Sequence, residues 1–393
     1  MRIKDVTLLL IAGFLIQGCA SPNSNNRNSE NRDSIEVPPI AWDRNTLTKV
    51  YNGPAFYPRI TRLQDQTLMG VFESQGATMV TKSDNEGSTW SEPLEVASSE
   101  NGINAAVPEV IQLQNGNIIV AYNTRPPQDN DDPDRRFGIK IKISEDNGET
   151  WSEEKNIYEG GFEWNRGVWE PAMIQFPDGE INLFFANEHP YENSEDQEIS
   201  MVHSEDNGET WSDPKTISYR EGFRDGMPVP LILQDEKGIA VAIEDNGLYG
   251  NTFKPAIVWT SLEERWPDVI TGDSRNRWGA LSEEHEIGAD KYGGAPYLRQ
   301  LPSGKTVLSF QTNEGRSGDW TNSTMAVTLG DEKAKNFSEI SKPFDVPEGR
   351  SAMWSSVFIK NDTTITAVTS TNAYSNTGQS EFYIIDGYIR PKN

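Results

Sequence analysis

Cysteine is almost missing: Cys19 is the single one in 393 residues. No internal disulfide can form, and no thiolate cluster is available to hold a metal. Histidine is nearly as scarce, and His189, His203 and His285 are scattered without metal-ligand spacing. Cations are few: 35 Lys and Arg face 60 Asp and Glu, for a net charge of −25. With no Lys/Arg cluster to neutralise phosphates, nucleic acid is excluded as a natural partner. Helical periodicity is absent; Ser282–Gly288 suffices for one turn at most. Nucleophile-elbow, P-loop and dinucleotide fingerprints are absent too. The acidic loop Gln128–Asp134, QDNDDPD, lacks the glycine and final glutamate of an EF-hand. No metal and no cofactor are therefore expected.

What is present begins with a processing signal. Arg2 and Lys4 precede the apolar run Val6–Ile16, which is too short to span a bilayer. The run ends in Ile16-Gln17-Gly18-Cys19, which resembles a bacterial lipobox. The resemblance implies cleavage after residue 18, lipidation of Cys19 and anchoring of a monomer in the cell envelope. Residues 19–37 are rich in Asn and Ser and read as a flexible tether. Residues 38–393 have globular composition and are expected to form one domain.

Two repeats interleave along that domain. The first is a hairpin pattern: an apolar run, a turn such as QNG, PDG or PSG, and a second β-rich run. Copies begin at Tyr57, Val107, Glu170, Met227, Ala295 and Trp354, and five of the six read X-Pro. The second repeat is SEDNGETWS at Ser144–Ser152 and Ser204–Ser212, with a blurred copy, SDNEGSTWS, at Ser83–Ser91. TSLEERW at Thr260–Trp266 is a degenerate fourth copy. Together they predict an all-β, six-bladed β-propeller with four antiparallel strands per blade. The outer strand of the last blade is expected from the N-terminal side, around Thr46–Tyr51, closing the ring.

The pattern S-x-D-x-G-x-T-W resembles the Asp-box (BNR repeat) of the sialidase superfamily. Its Asp and Ser suit local backbone hydrogen bonds, and its Trp suits the space between sheets. The box reads as scaffold, so the chemistry belongs elsewhere. In a propeller the first strand of each blade lines the channel, and residues two apart share a side. This aims Arg59, Glu109, Glu170, Tyr297 and Trp354 at the axis, with Trp169 and Asp225 beside them. The second strands end at the same mouth with Asn187-Glu188-His189 and Glu244-Asp245. Simpler alternatives stand beside each candidate. Arg59 either meets substrate or pairs with Glu109 or Glu73. Tyr297 is either pocket or core, and Asp225 either ligand or turn residue.

Carboxylates converging with aromatic rings are what glycoside hydrolysis needs. Within the superfamily, YPRITRL, WEPAM, DGMPVP, AIEDN and GAPYLRQLPSGKTVLSFQT are similar to the exo-1,5-α-L-arabinanases. That resemblance implies an exo-acting, retaining hydrolase of an oligo- or polysaccharide such as α-1,5-arabinan. By matching position it implies Glu170 and Glu244 as the catalytic pair, with a lean to Glu170 as nucleophile and Glu244 as acid/base. Arg59, Glu109, Asp225, Tyr297, Trp169, His189 and Trp354 are the expected substrate contacts. The alternatives are an exo-α-sialidase, for which three arginines are needed, and a non-catalytic surface glycan-binding lipoprotein.

Overall fold

The computed structural model describes residues 39–234 and 237–390. The expected leader, Cys19 and tether lie outside them. The described chain folds into six antiparallel sheets, five of four strands and one of five. Their innermost strands are Phe56–Arg62, Asn104–Gln112, Val168–Gln175, Asp225–Ile232, Gly293–Gln300 and Ala352–Ile359. These define blades one to six of the expected β-propeller. No α-helix interrupts the described residues, only four short 3-10 turns.

The last blade is completed from the N-terminal side, in two pieces. Thr48–Lys49 pairs with Tyr383 and Ile384, inside the expected window. Ile40–Trp42 pairs with Gly387–Ile389, upstream of it. Between them Asp43 caps a 3-10 turn at Arg44–Thr46, its carboxylate accepting from the Asn45 amide at 3.0 Å. That turn lets one short segment serve the edge twice.

Apolar clusters fill the spaces between neighbouring blades. Blades one and two, for example, share Met69, Val71, Val80, Val110, Ile118 and Val120. The Asp-boxes seal the outer edge of these layers. Ser144 Oγ accepts from the Gly148 amide at 2.7 Å, and Asp146 accepts from the Thr150 amide at 2.9 Å. Ser204 and Asp206 do the same, at 2.9 and 2.8 Å. In the blurred copy Asn85 replaces Asp and still accepts from the Thr89 amide at 2.9 Å. The glycine sits at φ 85°, 81° and 89° in the three copies, a region open to it alone at little cost. Trp266 of the degenerate copy is fully buried against Phe184, and its amide donates to Thr260 Oγ1. Blade five carries a further version that the sequence pattern hides. Ala334 takes the positive-φ place at 55°, and buried Phe337 takes the place of Trp. Burying such a ring stabilises by about 2–3 kcal/mol, which explains why the position stays aromatic when the polar frame is lost.

The inner strands share a feature the sequence does not announce. Each carries a β-bulge at the start of its hairpin motif, with register shifts from Phe56/Arg59 to Met353/Ser356. The first bulge residue is Tyr57, Val107, Glu170, Met227, Ala295 or Trp354, all at φ between 47° and 56°. Left-handed backbone at a bulky or β-branched residue costs on the order of 1–3 kcal/mol. The following proline is now explained: it occupies the unpaired bulge position, where an N–H would lack a ladder partner. Cross-blade bonds hold three of the bulges. Val107, Ala295 and Trp354 donate their amides to Glu73, Glu244 and Gln311 of the preceding blade, at 3.4, 2.8 and 2.7 Å.

Candidate active site

The bulges re-aim the first hairpin residues into a ring at one mouth of the channel. Tyr57, Val107, Met227, Ala295 and Trp354 pack together there, Tyr57 stacking on Trp354 at 4.6 Å. Glu170 is the sixth member, and its side chain opens into a cleft of about 440 Å³. Trp164, Trp169, Glu188, Arg224, Glu244 and Phe253 line the same cleft. Glu170 and Glu244, distant in sequence, thus share one space. Trp169 forms a wall with Trp164, ring centroids 5.2 Å apart, and that wall is backed by Phe137.

Their surroundings differ. Glu244 is the penultimate residue of the second strand of blade four, Gly238–Asp245, and is 9% exposed. One of its oxygens accepts from the Ala295 amide at 2.8 Å and from the Tyr292 hydroxyl at 3.3 Å. It reaches them because Gly226 and Gly294 flank it. A Cβ on Gly294 would lie within 2.3 Å of that oxygen, and one on Gly226 within 3.0 Å of the other. Burial raises the Glu244 carboxyl above the ordinary range, and the two donors pull it back. Glu170 is half-buried, and burial with the nearby Glu244 and Glu188 charges pushes it up to about 8. The Met227 amide opposes that rise only in part. At neutral pH Glu170 therefore keeps its proton, beside Glu244, whose carboxyl is gripped by the Ala295 amide and the Tyr292 hydroxyl.

Several other expectations are corrected. Arg59, Glu109 and Tyr297 do not meet the cleft. They lie one layer deeper, because the bulge puts the third motif residue on its own level of the channel. There Arg59 Nε is 3.7 Å from Glu109, its guanidinium lies over the Tyr297 ring, and Tyr297 donates to Glu109 at 3.1 Å. Arg59 also donates to the carbonyls of Pro58 and Trp354, both at 3.0 Å. This cluster plugs the channel below the mouth, so the pairing and core alternatives hold. Asp225 is fully buried and bridged by Arg277, which also binds Asp245. It ties strand ends together and cannot reach a ligand. His189 turns toward the outer side of blade two, where Nδ1 meets the Tyr158 hydroxyl at 3.2 Å. Its neighbour Glu188 faces the cleft instead, paired with Arg224. Trp354 belongs to the mouth, beside Tyr57.

Arg224, Tyr292, Trp164 and Phe253 are site residues that sequence reasoning missed. They sit on connecting loops, which carry no periodic signal. Arg224 alone had a pointer, as the residue immediately before the DGMPVP motif.

With the geometry described, comparison with known proteins becomes informative. The model of the BNR repeat-like domain matches residues 32–165 and 139–266. No curated protein sequence matches the chain. Among solved structures, a protein of unknown function from Dyadobacter fermentans is similar at a TM-score of 0.67 and 15% identity, covering 90% of this chain and 100% of that one. An α-L-arabinofuranosidase of Fusarium graminearum in complex with arabinobiose is similar at 0.66 and 18%, covering 87% and 97%. The NanB sialidase of Streptococcus pneumoniae is similar at 0.55 and 12%, covering 85% and 68%. At these identities the likeness establishes a shared propeller architecture.

Proposed function

We propose, since this chain belongs to the BNR repeat-like domain family, that it is an exo-acting, retaining glycoside hydrolase of a neutral oligo- or polysaccharide such as α-1,5-arabinan. The carrying observation is the unequal pair Glu170 and Glu244 in one aromatic-walled cleft. Retention needs one carboxylic acid to protonate the leaving oxygen and one carboxylate to attack the anomeric carbon. Hydrogen bonding divides these roles. Glu170, protonated near neutral pH, is the acid and later the base. Glu244, whose carboxylate form the Ala295 amide and Tyr292 hydroxyl favour, is the nucleophile. This reverses the lean drawn from motif position, which carries no information on hydrogen bonds. Trp164 and Trp169 offer flat faces to sugar C–H groups. A neutral sugar is favoured over sialic acid because Arg224, the arginine lining the cleft, is already paired with Glu188. The arabinobiose complex of a structural relative supports an arabinose-type substrate. The proposal includes attachment to the cell envelope through Cys19.

The test is product release from linear arabinan and from sialyl-oligosaccharides, followed by rescue. Glu170→Gln and Glu244→Gln should each lower kcat by about 10²–10⁴-fold. With an activated aryl glycoside, azide should rescue the Glu170 variant with retained configuration and the Glu244 variant with inverted configuration. Opposite stereochemistry would exchange the roles. Wild-type turnover in both variants, or binding without cleavage by the wild type, would end the proposal.

A further inference from the structure

A ribbon of aromatic rings leaves the catalytic carboxylate and runs along the mouth. Phe253 lines the cleft and meets Tyr292 edge-on, centroids 6.2 Å apart. Tyr292 meets Trp320 at 6.1 Å, Trp320 meets Trp354 at 6.1 Å, and Trp354 stacks on Tyr57. Polar bonds couple this ribbon to the pair. Gln311 accepts from the Trp354 amide at 2.7 Å and donates to the Tyr292 hydroxyl at 3.3 Å. Tyr292 in turn donates to Glu244.

Trp320 is the anomaly. It is 45% exposed, whereas the other rings of the ribbon are buried or half-buried. Exposing an indole forfeits burial energy, so a folding role does not explain it. Nor is it a loosely held loop residue. It begins a 3-10 turn capped by Asp319, whose carboxylate accepts from the Thr321 amide at 3.0 Å. Arg316 straps that turn to its surroundings, donating to the carbonyls of Asn322, Val346, Pro347 and Arg350 at 2.6–2.9 Å. A rigid, exposed aromatic face one ring removed from Glu244, across Tyr292, is preorganised for an apolar, flat ligand surface.

We infer that Trp320 is a second sugar-binding position, which stacks on a ring of the substrate chain next to the one held at Glu170 and Glu244. This rests on the glycosidase reading and deepens it: the substrate is a glycan chain of neutral rings rather than a single sugar on a small aglycone. Recognition is by C–H contacts on the indole face. It is therefore tolerant of hydroxyl configuration and sensitive to chain length.

The experiment compares wild type with Trp320→Ala and Trp320→Phe on an aryl α-L-arabinofuranoside and on linear α-1,5-arabino-oligosaccharides of increasing length. The loss in Trp320→Ala should grow with length, reaching about tenfold on the longest chain and residing in KM rather than kcat. Trp320→Phe should recover part of it. A loss equal on all substrates, or none, overturns the inference while leaving the glycosidase reading intact. Binding is measured separately in the Glu244→Gln protein, by tryptophan fluorescence with arabino-, xylo-, manno- and cello-oligosaccharides. A Trp320-dependent response without hydrolysis by the wild type keeps the subsite and defeats the hydrolase. No response to any of them defeats both.

Discussion

The outer rim and the inner mouth of this propeller are both built on a repeated turn, and they use repetition in opposite ways. At the rim the sequence repeats nearly letter for letter. Its carboxylates are exposed and held by Ser, Thr and backbone donors, which set Asp146 well below the ordinary range and Asp206 at about 2. At the mouth only the backbone repeats: six bulges of the same left-handed conformation display Tyr, Val, Glu, Met, Ala and Trp. There Glu170 has only the Met227 amide as a donor to favour its charge, and burial with neighbouring charges lifts it to about 8. A repeated side chain marks scaffold. A repeated conformation with divergent side chains marks the place where chemistry is assembled.

Three measurements sharpen that contrast. The largest effect is expected for Glu170→Gln. In the wild type the folded Glu170 holds its proton to about pH 8, whereas its unfolded value is about 4.5. Its contribution to stability is complete below the unfolded value and is lost as pH rises through the folded one. Gln needs no proton on folding, so the substitution should raise stability at pH 7, by on the order of 2 kcal/mol given its partial contact with cleft water. The gain should vanish near pH 4 in denaturant titrations. An enzyme that becomes more stable as it loses turnover would confirm a strained functional group. A stability unchanged with pH would show Glu170 to be as well solvated as a rim residue.

Asp206→Ala should behave in the opposite sense. The depressed carboxyl stabilises above its unfolded value and loses that effect as pH falls through about 2. Melting temperature should drop by a few degrees at pH 7, the difference closing at strongly acid pH. Turnover per folded molecule should stay unchanged, and a loss of turnover would give the rim a catalytic part.

The smallest effect is expected for Ala295→Gly, read by chemical denaturation. In an ordinary strand such a change costs about 0.5–1 kcal/mol. At φ 47° relief of backbone strain opposes that cost, so the net change should stay within about 0.5 kcal/mol. A full strand-like loss would show that the bulge stores no strain.

How far the sequence reached follows the same division. The six hairpins, the X-Pro starts and the boxes were readable because each repeats a local physical requirement. The hairpin reading brings Glu170 and Glu244 to the same mouth, the resemblance to the arabinanases singles them out as a pair, and both line one cleft. The rest depended on departures from regularity. Two-residue alternation placed Arg59, Glu109 and Tyr297 in the cleft, and one inserted bulge residue sends them to the plug below. Asp225 looked available because its partner Arg277 arrives from a remote outer strand. His189 was named where Glu188 does the facing, since a strand end fixes the neighbourhood of a side chain but not its direction. Tyr292 and Trp320 sit on loops whose course no pattern encodes.

The two-piece edge strand has a bearing on how the molecule comes to exist. Five sheets are continuous stretches of chain and can assemble in the order of synthesis. The sixth unites Ile40–Trp42 and Thr48–Lys49 with Glu381–Ile389, so its hydrogen bonds wait until that late strand has been made. Until that clasp shuts, Glu170 and Glu244 stand on an open arc of blades.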